Sequence, residues 1–336
     1  IRIHEPAMGA QSALTAASCR GQLCANLRST STICASFARP ARFRPMTLSL
    51  APADLTDDAL TDRIRVFQRK SGHRYSVDDV ATAWVALRAA PAARSSLDLG
   101  CGIGSVLLMV ADRMPSVRAV GVEAQAASFA LAERNVERNR LARRVSVQFG
   151  DLRDPALLDR ILQAEVAFGR EAGFDLVTGT PPYKPLGTAS VSPDPQRAHA
   201  RIELRGGVEA YLAAAARVLA PEGVLVMCAQ NDQAERVASG ACAVQLTPVY
   251  RVDVIPYLGR KGRLFSVHVF VRAGSARAGS AAVSSKIESD PVQLRLQASA
   301  LPATTDGSCE QLVLRDEDGA RTDAARALRA YFGLFM

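Results

Sequence analysis

From Ser76 onward the chain alternates short, almost wholly apolar runs with longer stretches whose apolar residues recur every three or four positions. The short runs suit strands buried on both faces, and the longer stretches suit helices that cover them. SLDLG, VRAVGVE, RVSVQFGD and FDLVTG read as four successive strands, with VLVMCA at 224–229 a fifth. Helices are expected at about 105–114, 124–140 and 155–166, and over VEAYLAAAARVL, which follows a long loop running to about Gly206. In that last helix Val208, Tyr211, Leu212, Ala215, Val218 and Leu219 share one face and read as core. A helix over VDDVATAWVALRAA precedes the first strand, and Ser76 with Asp79 three residues on has the form of a capping box. Two more strands are expected at about 244–255 and 264–272.

βα units in series predict an α/β domain over residues 46–272: a doubly wound, Rossmann-like sheet with helices on both faces. AGSARAGSAAVSS, residues 273–285, reads as a flexible linker or surface loop. Residues 286–336 are expected to return to the same domain as a strand, an Asp-Gly turn and a helix capped near Thr322. In doubly wound sheets ligands bind beyond the carboxyl ends of the strands, so the chemistry should lie in the loops that follow them.

Composition narrows the picture only slightly. At 336 residues and 48% hydrophobic the chain can bury a sizeable core, and its apolar runs fall short of the roughly 18 residues a membrane helix needs. The net charge is +8, but residues 1–45 hold six arginines against Glu5 and supply +5, leaving +3 for the body. That balance neither requires nor excludes a polyanionic partner. The Ser-, Ala- and Arg-rich first 45 residues read either as an organellar transit peptide or as a disordered or untranslated stretch, with Met8 or Met46 as the start. The expected location is therefore cytoplasmic, or mitochondrial or plastid. Seven cysteines without a CxxC pair or metal-ligand spacing point to no disulfide framework and no metal.

The strand-end loops carry the candidate chemistry. DLGCGIGS places Asp98 ahead of Gly100, Gly102 and Gly104, glycines that let backbone approach a ligand at a helix start. The second strand ends in Glu123, where a carboxylate can take the hydroxyls of a ribose, and the third ends in Asp151, followed by Leu152. Asp151 can accept a hydrogen bond from an adenine amino group. The loop spacing is GxGxG, not GxGxxG, and an acid beside it suits the cationic end of a sulfonium ligand better than a pyrophosphate. The fourth strand runs into Thr180, Pro181, Pro182 and Tyr183, a stiff turn in which two prolines fix φ and leave carbonyls unpaired beside an aromatic ring.

On these residues the chain resembles the class I S-adenosylmethionine-dependent methyltransferases, and GTPPY resembles the Asn/Asp-Pro-Pro-Tyr signature of the branch that methylates planar nitrogens. Over residues 64–335 it is most similar to the bacterial tRNA(Val) adenine N6-methyltransferases of the small-domain group, in FQRKSGHRYSVDDVATAW, SPDPQRAHARIELRGGVEAY and LVLRDEDGARTDAARAL. The resemblance implies a seven-stranded sheet and S-adenosylmethionine held by Asp98, Gly100, Gly102, Gly104, Glu123, Asp151 and Leu152. It further implies a target amine gripped by Thr180 and the Pro181 carbonyl, next to Pro182, with Tyr183 stacked on its ring. The acceptor it implies is adenine N6 in structured RNA, a tRNA, acted on by a monomer.

Thr180 stands where that branch has Asn or Asp, so the acceptor differs, the activity is lower, or a carboxylate from elsewhere helps. Arg63, Arg65, Arg69, Lys70, His73 and Arg74, then Arg197, Arg201 and Arg205, then Arg260, Lys261 and Arg263 offer basic surface to RNA. His199 reads as a loop residue, since amine methylation needs no base. The rival readings are a protein-glutamine methyltransferase of release-factor type, a catalytically degenerate module that binds RNA or a partner, and a nicotinamide-dependent dehydrogenase.

Overall fold

A computed structural model describes residues 51–167, 173–259, 262–279 and 309–334. The basic N-terminal segment, Arg260, Lys261 and residues 280–308 lie outside the described residues.

The strand-like runs form one sheet. β3 (Ser95–Leu99), β4 (Arg118–Glu123), β5 (Val145–Phe149), β6 (Phe174–Gly179) and β7 (Leu219–Ala229) pair in parallel in the order β5-β4-β3-β6-β7. β8 (Leu246–Ile255) and β9 (Phe265–Arg272) form an antiparallel hairpin whose second strand inserts beside β7. That insertion leaves β8 at the edge, with its backbone groups free to take another strand. β10 (Cys309–Val313) fills the place, pairing parallel from Cys309 opposite Arg251 to Val313 opposite Ile255. The sheet therefore has eight strands, not the expected seven.

Every residue of β3 is buried, as a central strand covered on both faces requires. One apolar cluster lies on the face under α1 (Val77–Ala89), α2 (Ser105–Arg113) and α3 (Ala126–Arg138), and includes Trp84, Leu108 and Leu131. The other contains Leu158, Leu212 and Val237 of α4 (Pro155–Ala167), α6 (Val208–Val218) and α7 (Ala234–Ala243). The capping box is formed: the Ser76 N–H donates to the Asp79 carboxylate at 2.9 Å. The last helix, α8 (Asp323–Tyr331), is capped by Thr322, whose hydroxyl oxygen accepts from the Ala325 N–H at 3.1 Å.

Two elements go beyond the sequence reading. β1 (Leu55–Ala59) and β2 (Arg65–Arg69) form a separate antiparallel hairpin. Its free edge is taken by asparagines one turn apart on α3: Asn135 accepts from the Phe67 N–H at 2.7 Å and donates to the Phe67 carbonyl at 3.2 Å, and Asn139 does the same for Arg65 at 3.1 and 2.8 Å. Asn135 is fully buried and also donates to the Ile103 carbonyl at 3.0 Å, so the hairpin and the glycine loop share one anchor. The expected long loop after β6 contains α5 (Pro195–Arg201), started by Asp194, which accepts from the Arg197 N–H at 2.9 Å, with proline in the first turn. The expected linker is ordered at its start, where Ala273 donates to the Gln245 carbonyl and Ser275 to Glu222 at 2.8 Å each.

Candidate active site

The parallel strands deliver their loops to one end of the sheet, where they surround a cavity of about 900 Å³ including its open mouth. Gly100, Gly102, Glu123, Asp151, Leu152, Thr180 and Pro182 line it together, although they come from four separate strand ends. Gly100 and Gly102 have φ of +62° and +57°, backbone that L side chains rarely adopt. A β-carbon on Gly100 would lie 2.2 Å from the Tyr211 hydroxyl. One on Gly102 would meet nothing within 4 Å, so at the cavity wall that position leaves space for a ligand.

Asp98 and Gly104 are not in the lining. Gly104, at φ +88°, turns the chain into α2 behind the wall. The Asp98 carboxylate lies beneath the loop, accepting from the Thr178 hydroxyl at 2.8 Å and the Leu107 N–H at 3.2 Å. It ties β3 to β6 and to the start of α2, and burial pushes it up to about 7. Glu123 does face the cavity. Its two oxygens accept from the Gly102 N–H at 2.9 Å and the Gln125 N–H at 2.7 Å, which fixes its rotamer and leaves lone pairs for a diol. Burial lifts it to about 7.

Asp151 sits at the rim in a two-bond pair with Arg153, at 3.0 and 2.7 Å, which holds its carboxyl below the ordinary range. An amino group approaching Asp151 must share it with that guanidinium. Gln196, absent from the sequence reading, and His199, expected in a loop but carried by α5, complete the walls. Gln196 of α5 is buried and donates to Ser128 at 3.0 Å while accepting from the His73 N–H at 3.2 Å, roofing the cavity. His199 faces the cavity from the same helix, with its Nδ1 buried and unpartnered among the described residues; burial lowers its pKa.

A second groove adjoins the first, lined by Arg74, Asp78, Pro181, Tyr183, Lys184, Arg197 and Arg201 among others. Tyr183 lies here, its hydroxyl donating to Asp78 at 2.9 Å and 3.1 Å from the Cys228 sulfur. His73, Asp79, Thr180 and Ala200 line both spaces. The Thr180 turn is thus the passage between them. Among the described residues no cluster of three or more His, Cys, Asp or Glu could hold a metal, and no helix is long and apolar enough to cross a membrane.

Residues 74–184, which span the α1 start, the glycine loop and the Pro-Pro-Tyr turn, match the family model of the methyltransferase small domain. Over these residues the chain is similar to methyltransferase small domains. The chain is 30% identical over 137 residues to a tRNA1(Val) (adenine(37)-N6)-methyltransferase of Porphyromonas gingivalis, covering 41% of this chain and 50% of that protein. It is 33% identical over 159 residues to a release factor glutamine methyltransferase of Geobacter sulfurreducens, covering 45% and 51%. A third relative, a tRNA1(Val) (adenine(37)-N6)-methyltransferase of Bacteroides thetaiotaomicron, is 28% identical over 192 residues, covering 56% and 73%. The chain thus spans about half the length of the first two relatives.

Proposed function

We propose that this chain transfers a methyl group from S-adenosylmethionine to an exocyclic amine, adenine N6 in structured RNA. The observation that carries this reading is the passage at Thr180: a cavity fit for a nucleoside opens there into a groove of cationic side chains. The cavity suits the ligand on its own geometry, since the open face of Gly102 admits it and Glu123 has acceptor capacity for ribose hydroxyls. Leu152 and Asp151 would take the base, and the ligand supplies a methyl on sulfonium sulfur, open to in-line displacement.

The chain's part is positional. An exocyclic amine is a poor nucleophile because its lone pair is delocalised into the ring, and acceptors on its hydrogens favour the pyramidal form. Thr180 and the Pro181 carbonyl stand where the groove meets the cavity, on backbone stiffened by two prolines, so the amine is held at little entropic cost. Tyr183, pinned by Asp78 and Cys228, offers its ring as a wall of the groove. Arg197 and Arg201 have no carboxylate partner among the described residues, which suits a phosphodiester strand better than a glutamine side chain.

The test is transfer of labelled methyl from S-adenosylmethionine by the full chain to unmodified tRNA and, separately, to a release factor, followed by hydrolysis and chromatography. The reading expects N6-methyladenosine; label confined to protein glutamine overturns it.

A further inference from the structure

The nitrogen to be methylated must lie where the cavity and the groove meet, so besides the Pro181 carbonyl on the groove side, the residues common to both are those able to touch it. There are four: His73, Asp79, Thr180 and Ala200. Ala200 has no polar side-chain atom. The Thr180 hydroxyl makes no hydrogen bond among the described residues and can accept one, but it is shorter than the Asn or Asp side chain it replaces and carries no charge. Asp79 is the carboxylate at this junction. It is buried, at the third position of α1, and held from two sides: one oxygen accepts from the Ser76 N–H at 2.9 Å, the other from the Ser105 hydroxyl at 2.9 Å. Ser76 starts α1 and Ser105 starts α2 directly after the glycine loop, so the carboxylate is fixed relative to both the groove and the cavity. A carboxylate has about four acceptor positions, so two remain for a ligand. Burial, with Asp78 alongside, raises its pKa.

We propose that Asp79 accepts a hydrogen bond from the target amine and, together with the Thr180 hydroxyl, supplies the grip that an Asn or Asp at position 180 would supply alone. The inference rests on the methyl-transfer reading, not on the identity of the acceptor. As the nitrogen lone pair forms the N–C bond the methyl leaves sulfur, the bonding pair stays on sulfur, and the proton shed by nitrogen passes through Asp79 to water in the open groove.

The test compares two ligands by titration calorimetry on the full chain. Sinefungin has, in place of the sulfur, a carbon bearing an amine that stands where the methyl group would and is directed at the acceptor; S-adenosylhomocysteine has a bare thioether sulfur there, and the two share their adenosine and amino-acid ends. Asp79→Asn is expected to leave S-adenosylhomocysteine affinity within about threefold while cutting sinefungin affinity about tenfold or more, the loss of one charge-assisted contact. With whichever acceptor the wild type labels, the same variant should lower kcat by about a hundredfold. Adding Thr180→Asn to it should recover at least tenfold, which a merely structural role for Asp79 does not predict.

Equal loss of both ligands places Asp79 at the shared amino-acid end and overturns the proposal, as does sinefungin binding that the variant leaves unchanged. A wild type that labels protein but not RNA overturns the adenine reading and leaves the ligand comparison intact.

Discussion

Asp98→Asn separates a residue that touches the ligand from one that shapes the loop around it. The wild-type carboxyl is buried without a cation, and burial moves it from an ordinary 3.8 to about 7. Between those values the folded chain keeps a proton that the unfolded chain has released. The stabilisation this gives is fully present below about pH 4 and is lost as pH rises through 7. One pKa unit corresponds to about 1.4 kcal/mol, so the loss by pH 8 is at most about 4 kcal/mol. Asparagine keeps the shape: its carbonyl can accept from the Leu107 N–H, and its amide can donate to the Thr178 oxygen. Urea unfolding at pH 5 and pH 8 should therefore show the variant ahead by up to about 2 kcal/mol at the lower pH, where part of the wild-type stabilisation is already lost, and by up to about 4 kcal/mol at the higher. Glu123 also titrates upward but cancels in the difference, while Asp79 is relieved of the Asp98 charge in the variant, which adds to the variant's advantage at the higher pH. S-adenosylhomocysteine affinity should change by less than about threefold, because Asp98 does not line the cavity. A variant that is less stable at both pH values, or that folds normally but loses tenfold in affinity, refutes the reasoning.

Gly102→Ala should cost only about 1 kcal/mol of stability for its positive φ, yet lower S-adenosylhomocysteine affinity at least tenfold in calorimetry, because the new methyl group enters the cavity. Thr180→Asn in the otherwise native chain should lower kcat several-fold, since a longer amide then crowds the amine against Asp79; a gain in activity would mark the natural site as degenerate. The double variant Arg197→Glu/Arg201→Glu should raise KM for tRNA at least tenfold and flatten the salt dependence of KM, with S-adenosylhomocysteine binding untouched.

The alternation of apolar runs and amphipathic stretches made the parallel core legible, since a strand buried on both faces has little choice of composition. The glycine loop and the Pro-Pro-Tyr turn were equally legible, because their conformations follow from local covalent chemistry. Side-chain direction at a strand end does not. Asp98 turns inward because Thr178 on the neighbouring strand offers a hydroxyl and the first turn of α2 offers an N–H, partners 80 and 9 residues away. Asp79 read as a capping residue, which it is; that a cap can also face a binding cavity depends on where α1 docks. α5 had a usable signal in Asp194-Pro195, an N-cap followed by a first-turn proline. The place of β10 had none, because which edge of the sheet stays open is settled by the β8–β9 hairpin, not by the composition of the strand that fills it.

The acids around the cavity also bear on which ligand the fold can take. Asp79, Asp98 and Glu123 are all buried at one end of the sheet, and burial raises the pKa of each. Gathering desolvated carboxyls there is unfavourable for folding alone, and a structural purpose would be served as well by neutral amides. An anionic pyrophosphate placed among them would add repulsion to desolvation, which disfavours a nicotinamide dinucleotide in this loop. A ligand carrying an ammonium and a sulfonium gains from the same arrangement, since its charge draws the carboxyls toward ionisation and is itself stabilised. The groove beyond Thr180 shifts the balance, since Arg74, Lys184, Arg197 and Arg201 outnumber Asp78 and Asp79 along it. Under the proposed function, a cationic methyl donor on one side of the turn and a polyanion on the other would each be matched to the field they meet, and the stiff Thr180–Tyr183 segment is where the two would be brought together.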